Sequence, residues 1–355
     1  DLVNRLEAES RAGRQGRIAD YLTRLDFIVL DELGYLPFAQ AGGQNPDLLI
    51  TTINQAWNKA GVPEGVLYPE VCYVANGGGV IEEYPMHVAA VSEKDVDDTA
   101  ERDFSTAYVI DVTSRSKRID GPATLLPLSE SRDPYGILEG AAPSIIRRGD
   151  RMWDRRLAKA MNTNPVCYDG KAIYATDHPV NPSVAGSGTY SNDLSNTDLD
   201  EAGLTAAFQA LLDIPGADGN RYNADLGVPT IVVPTEQLAL KARKLLNEGL
   251  IAKVFGANTA AASESTQLVG RAAVQLLPEL NDPAVNSSNK RWYVIRNNAK
   301  PAAGWIVRIT RRPQMMLTKP TDHLAVSRNA LALFYWAEGG VDPGLPQVQV
   351  RCTTP

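Results

Sequence analysis

Residues 164–179 form the most informative short segment of the chain and read Asn164-Pro165-Val166-Cys167-Tyr168-Asp169-Gly170-Lys171-Ala172-Ile173-Tyr174-Ala175-Thr176-Asp177-His178-Pro179. Asp177 and His178 are adjacent, and an Asp-His pair suggests a Ser-His-Asp triad. Adjacent residues on an extended chain point to opposite faces, so Asp177 is not expected to orient His178. The chain has no Gly-x-Ser-x-Gly elbow to supply a nucleophile. The pattern therefore does not predict a hydrolase.

Other catalytic candidates are few, because the chain has 3 histidines. His87 follows an apolar run in a predicted strand, where it is expected to be packed rather than catalytic. His323 lies beside Asp322, as His178 lies beside Asp177. A metal site would need a second ligand at helical or hairpin spacing from a histidine, and none is evident. We therefore predict that the chain is not an enzyme and has no catalytic, cofactor-binding or metal-binding residues.

The composition is that of an ordinary folded protein. Of the 355 residues, 44% are hydrophobic and 22% are charged, and the formal net charge is −7. A negative net charge argues against DNA binding by the whole surface but leaves room for a local basic face. The three cysteines are widely separated, without disulfide or zinc spacing, which favours a reducing compartment. No run approaches the roughly 18 apolar residues of a membrane helix, so no membrane partner is expected.

An amphipathic helix is predicted at residues 144–161. At about 100° per residue, its apolar side chains lie on one side and its basic side chains on the other. Two interpretations of the basic side remain open. In the first, the basic side is exposed to solvent or forms ion pairs within its own subunit. In the second, it contacts an acidic segment of a neighbouring subunit or packaged nucleic acid. The apolar set is Ile146, Trp153, Leu157, Ala160 and Met161, and the basic set is Arg148, Arg151, Arg155 and Lys159.

Two polar stretches are candidate extensions. Residues 92–103 are rich in carboxylates but lack the spacing and the glycine of a helix-loop-helix calcium site, so a solvated hairpin or loop is expected. Residues 113–136 form a long polar stretch, and such a stretch inside a compact domain often indicates a functional extension. We interpret it as part of an arm that reaches away from its own subunit. Arg115, Lys117 and Arg118 are its candidate intersubunit contacts.

Periodicity and turn residues predict several further elements. Residues 204–212 carry apolar side chains at helical spacing, and Asp198 with Glu201 resembles a capping box at the start of this helix. Thr230–Val233 is typical of a buried strand, and Thr235 is predicted to cap the helix that follows. Further strands are predicted at 71–75, 86–91, 104–112, 291–296 and 304–310.

The first 44 residues have a different character from the rest. Asp26-Phe27-Ile28-Val29-Leu30-Asp31-Glu32 is typical of the acidic strand of an ATPase. With Asp1-Leu2-Val3-Asn4-Arg5-Leu6 and Leu33-Gly34-Tyr35-Leu36-Pro37, it resembles the IstB-like helper ATPase of insertion-sequence transposases, up to Gln44. The chain has no G-x-x-x-x-G-K-[ST] loop to hold phosphates. The acidic pair is therefore not expected to support ATP hydrolysis.

The segment 164–179 is similar to a recurrent segment of tailed-phage major capsid proteins. In those proteins a short strand ends in an Asp-Gly-Lys turn and leads to a Thr-Asp-His-Pro or related loop. The resemblance is to the Mu-like major head subunit family and spans about residues 66–350. Its other pieces follow in the same order along the chain. They are Val228-Pro229-Thr230-Ile231-Val232-Val233-Pro234, the helix with Leu245-Leu246, Trp292-Tyr293-Val294-Ile295, Arg312-Pro313-Gln314 and Phe334-Tyr335-Trp336-Ala337-Glu338-Gly339-Gly340-Val341-Asp342.

The resemblance implies an α+β chain with the Hong Kong 97-type phage capsid fold. That fold has an N-terminal arm, an extended β-hairpin loop, a peripheral domain with a spine helix, and an axial domain at the capsomer centre. Residues 92–136 would hold the extended loop, and residues 137–162 would form the spine helix. The implied domains are the arm with the IstB-like segment at 1–65, strands and extended loop at 66–136, the peripheral domain at 137–219, the axial domain at 220–300, and C-terminal strands returning to the peripheral domain at 301–355.

The resemblance further implies a major capsid protein that self-assembles into hexamers and pentamers of an icosahedral shell around double-stranded DNA. Its partners would be copies of itself, packaged DNA, and portal and scaffold proteins. It would assemble in the cytoplasm of a bacterial host and end in the virion, with no cofactor. Two alternatives remain open: an encapsulin-like compartment built on the same fold, and a remnant of a transposition-associated ATPase.

Overall fold

The chain combines helices with mostly antiparallel sheets, which confirms the predicted α+β class. The structure is a computed structural model that describes residues 46–58, 65–88, 109–121, 124–127, 137–225, 227–247, 251–253, 262–264, 268–281, 290–296, 302–318 and 330–355. The acidic strand at 26–32, the carboxylate-rich stretch at 92–103 and His323 lie outside the described residues.

The described residues form six α-helices and sixteen strands, with short 3₁₀ turns at Pro278–Leu280 and Pro346–Val348. The helices are α1 (Pro46–Asn58), α2 (Tyr68–Val71), α3 (Ile137–Asp150), α4 (Met152–Thr163), α5 (Glu201–Asp213) and α6 (Glu236–Asn247). The strands are β1 (Cys72–Asn76), β2 (Ile81–His87), β3 (Val109–Arg115), β4 (Lys117–Asp120), β5 (Thr124–Pro127), β6 (His178–Pro179), β7 (Thr189–Tyr190), β8 (Asp193–Leu194), β9 (Thr230–Val233), β10 (Ile251–Lys253), β11 (Ala262–Glu264), β12 (Ala273–Leu276), β13 (Arg291–Ile295), β14 (Trp305–Leu317), β15 (Ala330–Pro343) and β16 (Gln349–Thr353).

The first sheet is built around the long antiparallel pair β14–β15. Trp305 lies opposite Pro343 at one end of this pair, and Leu317 lies opposite Leu333 at the other. β1 runs parallel to β14 on one side, while β4 and β5 both pair with the other side of β15. This pairing corrects part of the predicted arm. Residues within 117–127 stay in the sheet of their own subunit, because their backbone groups bond to β15.

The second sheet has the strand order β12-β9-β13-β16-β8 and is buried on both faces. In β13, Trp292 and Val294 face one hydrophobic core, which also contains apolar residues of α5 and α6. Tyr293 and Ile295 face the other core, which is shared with α4 and the first sheet. This alternation is the two-residue period of a strand. The predicted strand at Thr230–Val233 is confirmed as β9, with every residue buried.

The predicted helix at 144–161 is confirmed, and it begins earlier, at Ile137. It consists of α3 and α4, which meet at Arg151, where the backbone departs from helical geometry. The N–H of Arg151 still donates to the carbonyl of Arg147 at 3.0 Å, so the two helices are almost continuous. Trp153, Leu157 and Met161 are buried, as the apolar periodicity predicts.

The starts of α5 and α6 test the two predicted caps. The carboxylate of Asp200, rather than Asp198, accepts the N–H of Gly203 at 2.8 Å. The predicted capping box is therefore wrong, because Glu201 is the first residue of the helix and not its third. The hydroxyl of Thr235 accepts the N–H of Leu238 at 3.4 Å, which confirms the second cap.

Two elements from the predicted peripheral and C-terminal domains contact the second sheet or its core. β16, expected with the peripheral domain, pairs with β13 in the second sheet. α5, also expected in the peripheral domain, packs on the core beside that same sheet. The domain division stays a prediction.

Candidate assembly surface

The β2–β3 hairpin is a two-stranded ribbon with an open outer surface. Its strands pair from Ile81 opposite Arg115 to His87 opposite Val109. Within the described residues, neither strand pairs with a third strand. Three apolar side chains are more than half exposed: Val80 at 74%, Ile81 at 55% and Val109 at 54%. An isolated two-stranded ribbon is marginally stable in water, so contacts with the body must hold it.

The inner face of the hairpin packs on the body through a small core of its own. Tyr222 adds a hydrogen bond, since its hydroxyl donates to the carbonyl of His87 at 2.7 Å. The imidazole of His87 itself is exposed, which corrects the expectation that it is packed. The residues of this core are Met86, Val88 and Val112 from the hairpin and Ile306, Leu345 and Val348 from the body.

Arg308 joins both strands of the hairpin to the first sheet. It lies in β14, and its side chain is fully buried. Its guanidinium donates to the carbonyls of Ser114 at 3.1 Å and Val80 at 3.3 Å, and also to that of Gly79. It forms an ion pair with Glu82 at 3.1 Å. One buried cation therefore contacts the chain where it enters β2 and where it leaves β3.

Tyr84 and Glu82 support this ion pair on the hairpin side. The Tyr84 hydroxyl donates to the Glu82 carboxylate at 2.7 Å. This hydrogen bond, together with the N–H of Gly79 and the charge of Arg308, lowers the pKa of Glu82, which therefore stays ionised. Burial and the same hydrogen bond raise the pKa of Tyr84 to about 12, so the phenol remains a donor.

Asp342 in β15 makes a second connection to the hairpin. Its carboxylate accepts the hydroxyl of Ser114 at 2.6 Å and the N–H of Arg115 at 3.3 Å. Burial raises the pKa of Asp342 even though both hydrogen bonds act in the opposite direction. We name Arg308, Glu82, Asp342 and Ser114 the hairpin anchor, because these side chains hold the base of the hairpin.

The raised pKa of Asp342 predicts a pH-dependent contribution to stability. Ionisation costs more in the folded chain than in the unfolded chain, so this contribution is largest below the unfolded value of 3.8 and falls as pH rises through the raised pKa. We expect the free energy of unfolding of wild type, minus that of Asp342→Asn, to decrease between about pH 4 and about pH 7. Urea unfolding at both pH values measures this difference. A constant or rising difference would contradict the prediction.

A basic cleft lies where the long helix crosses the edge of the first sheet. The cavity is about 330 Å³ and is bordered on the sheet side by Ile119, Asp120 and Tyr335. Asp120 is the acidic residue of the lining, and it pairs with Arg118 at 2.8 Å. The cations therefore outnumber the anions, and the cleft suits a negatively charged group. Its cationic residues are Arg148, Arg155, Arg156 and Lys159.

The structure separates the basic residues that sequence analysis placed on one helix face. Arg148, Arg155 and Lys159 line the cleft, whereas Arg151 forms an ion pair with Glu279 of its own chain at 3.0 Å. Arg151 thus follows the interpretation of a pair within the subunit. Arg156 was missed because it lies about 80° from Arg148 around the helix, although its place in the same basic run could have indicated it.

The other three predicted contacts lie on the strands beside the cleft. Arg115 ends β3, and Lys117 and Arg118 begin β4; all three side chains are exposed. The Arg118 guanidinium stacks over the ring of Trp336 at 5.1 Å from its centre. They form a second basic group next to the cleft, and their role as intersubunit contacts stays a prediction.

A buried cluster of Cys167, Asp169 and His178 was also missed. His178 Nδ1 lies 2.6 Å from Asp169 Oδ2, and the Cys167 thiol donates to Asp169 Oδ1 at 2.9 Å. Asp177 is exposed while His178 is buried, as the opposite-face argument predicts. The pairing of Asp169 with His178 could have been found from the Asp-Gly-Lys turn, because a tight turn reverses the chain and lets residues nine positions apart meet.

Comparison with known proteins finds one family model and several solved structures. The family model of IstB-like ATP binding proteins matches residues 1–62, which extends past Gln44 and includes α1. No curated protein matches the sequence. No helix of the described residues combines the length and the apolar character that crossing a membrane requires.

Several solved structures of phage capsids are similar to the chain. The bacteriophage JBD30 capsid is 9% identical, with 83% of this chain and 67% of that chain covered and a TM-score of 0.45. The mature capsid of bacteriophage PhiM1 is 9% identical, with 83% and 89% covered and a TM-score of 0.49. The structure of Microbacterium phage Oxtober96 is 12% identical, with 95% and 98% covered and a TM-score of 0.47. At these identities the likeness assigns no activity or partner to the chain.

Proposed function

We propose that the chain is a major capsid protein with the Hong Kong 97-type fold, a subunit that forms hexamers and pentamers of an icosahedral shell in a virion. The proposal begins from the ordered resemblance across about residues 66–350. It also assigns a structural rather than an enzymatic role. A shell subunit needs surfaces that bind copies of itself, and these can join heterologously into closed rings.

The anchored hairpin is the observation that carries the proposal. Its base is held by buried charges, while its outer face exposes Val80, Ile81 and Val109. Its two strands also leave open edges, which are templates for contact with another chain. A ribbon whose inner face is fixed to the body and whose outer face is open is suited to bind a neighbouring subunit.

The basic cleft supplies a complementary surface for that contact. The segment between β2 and β3 contains six carboxylates, and the cleft carries four cations. In the proposed shell, the acidic segment of one copy docks at the basic cleft of the next. Arg115, Lys117 and Arg118 extend this contact along β4. The acidic residues are Glu93, Asp95, Asp97, Asp98, Glu101 and Asp103.

The remaining partners of the proposed shell follow from the same assignment. Double-stranded DNA would fill the particle, and portal and scaffold proteins would join it during assembly in the host cytoplasm. The net charge of −7 limits nonspecific attachment of the wall to DNA. These partners rest on the resemblance, and they are tested by the contents of purified particles.

Electron microscopy of the expressed chain tests the proposal. We expect closed particles tens of nanometres across, made of this chain alone or with co-expressed scaffold. DNA that resists nuclease inside the particles would support a capsid, and particles without DNA would support an encapsulin-like compartment. A chain that stays monomeric under all assembly conditions would overturn the shell function, and ATP turnover by that monomer would support the ATPase alternative.

Reversing charge in the cleft should impair assembly while leaving the fold intact. We expect Arg148→Glu with Lys159→Glu to lower the particle yield about tenfold or more, because like charges across an interface cost several kcal/mol. Both side chains are exposed, so the thermal midpoint of the dissociated chain should change little.

The matched control carries the same change of charge on another helix. Lys241→Glu with Lys244→Glu alters two exposed residues of α6 at helical spacing. Equal particle yields from the two double variants would remove the cleft from the proposed contact. The experiment uses Lys159 instead of Arg151, since Arg151 is committed to Glu279 within its own chain.

A further inference from the structure

Cys167, Asp169 and His178 meet at a tight turn that follows α4. The N–H of Cys167 donates to the carbonyl of Lys171 at 2.8 Å, and the N–H of Gly170 donates to the carbonyl of Cys167 at 3.1 Å. Gly170 adopts a φ of 79°, the left-handed region that glycine favours. The turn therefore places the thiol and the carboxylate side by side, facing His178.

The three side chains present their donor atoms to one another inside the protein. The sulfur, a carboxylate oxygen and an imidazole nitrogen all lie within 4.8 Å of one another. The side chains of Asp169 and His178 are fully buried. The Tyr190 ring stacks on the imidazole at a centroid distance of 5.2 Å and so restrains its plane. A thiol, a carboxylate and an imidazole are therefore held close together before any ligand binds.

Two polar atoms beside the cluster have no hydrogen-bond partner among the residues that the structure describes. They are Nε2 of His178 and the hydroxyl of Tyr190, both of which are buried. Neither atom takes part in the hydrogen bonds that join the three side chains, which run through the Asp169 carboxylate to Nδ1 of His178 and to the Cys167 thiol.

We propose that Cys167, Asp169 and His178 bind one divalent transition metal ion of the zinc class. Thiolate, imidazole and carboxylate are the ligands that Zn²⁺ takes in proteins. A thiolate and a carboxylate together cancel the charge of the ion, so the loaded site is neutral, as burial requires. The ligand atoms would move apart by about 0.5–1 Å, because metal bonds of about 2.0–2.3 Å replace the hydrogen bonds.

The proton balance of binding is simple. The Cys167 thiol loses its proton to solvent and binds as a thiolate. The proton that Nδ1 of His178 donates to Asp169 moves through solvent to Nε2, so the neutral imidazole binds through Nδ1 while Asp169 stays ionised. In the metal-free chain, burial and the carboxylate of Asp169 raise the pKa of the Cys167 thiol, so uptake of the metal should release one proton and strengthen as pH rises.

Cobalt titration of the metal-free full-length chain tests this site. We expect one Co²⁺ per chain and a thiolate-to-cobalt charge-transfer band in the near ultraviolet, which Zn²⁺ then removes. Cys167→Ser should abolish the band, and Asp169→Asn or His178→Gln should weaken binding about tenfold or more. Cys352→Ser is the matched control, because that buried cysteine lies outside the cluster, and this variant should keep the band.

A second measurement tests the site even if Cys167→Ser fails to fold. Zn²⁺ should raise the thermal midpoint of the wild-type chain and leave that of Asp169→Asn unchanged, since a ligand stabilises the state it binds. A wild-type chain that shows neither the cobalt band nor a zinc-dependent midpoint overturns the proposal. The result is independent of shell formation, because it is measured on the dissociated chain.

Discussion

Replacement of Arg308 by methionine is expected to release the β2–β3 hairpin from the body and to lower the free energy of unfolding by about 3 kcal/mol. The guanidinium is fully buried, and it bonds to three carbonyls and to Glu82. Methionine fills much of the volume but donates no hydrogen bond, so the contacts of β14 with both strands of the hairpin are lost. Hydrogen exchange should therefore accelerate in β2 and β3 while the protection of β9 and β13 persists.

Arg311→Met is the control for Arg308→Met because it lies in the same strand. Its side chain is 58% exposed and pairs with Glu338 at 3.4 Å, and it also stacks over Trp336. Exposed pairs of this kind contribute about 1 kcal/mol or less, so its unfolding curve should stay close to that of wild type. If the two variants unfold alike, the hairpin is not held by the buried charge.

Gly339→Ala is expected to produce the second large effect, a loss of about 3 kcal/mol with a shift of the long helix on the first sheet. Gly339 lies in β15, where α4 crosses the sheet. A Cβ atom there would overlap the carbonyl oxygen of Arg308 and the indole of Trp153. Trp153 is 3% exposed and cannot move into solvent without losing its packing. Thermal unfolding measures the loss, and Trp fluorescence reports on the indole.

Gly78→Ala provides the steric control for this substitution. A Cβ atom at Gly78 would meet nothing within 4 Å, and its φ is not in the left-handed region. The same change of residue should therefore alter stability by less than about 0.5 kcal/mol. An unchanged midpoint in Gly339→Ala would show that the helix does not contact the sheet this closely. Gly339→Ala would also reduce particle yield, since α4 forms one wall of the basic cleft.

Elements with a strong local period were predicted well. The apolar side of the helix at 144–161 became the buried side of α3 and α4. The all-apolar run Thr230–Val233 became β9, a strand that is buried on both faces. These patterns depend on residues three, four or two positions apart, so each is complete within its own segment.

Pairing between distant segments was predicted less well. Residues within 117–127 were assigned to an arm, yet β4 and β5 complete the first sheet. No local pattern indicated that β16 pairs with β13. The residues of a strand do not identify the strand to which its backbone groups will hydrogen-bond. The sequence therefore predicts the existence of a strand better than its neighbour.

The candidate sites show the same division. The sequence showed that one side of the long helix is basic. Which of its residues line the cleft depends on what packs beside the helix, because Arg151 pairs with Glu279 instead and Arg156 joins the lining. Nothing in the sequence around Arg308 indicates that it is buried, because one of its hydrogen-bond partners, the carbonyl of Val80, lies 228 residues away. Cys167, Asp169 and His178 lie close in sequence, but the turn at Gly170 had to form before they could meet.

Local spacing of apolar, polar and charged side chains was enough to predict the faces of the long helix and the buried strand β9, and the resemblance to a family implied the α+β class. The hairpin anchor, the composition of the basic cleft and the buried Cys-Asp-His cluster arose when segments far apart in sequence were brought together. The physical reason is that periodicity is a property of neighbouring residues. Burial of a charge or completion of a site depends on which distant groups replace water around it.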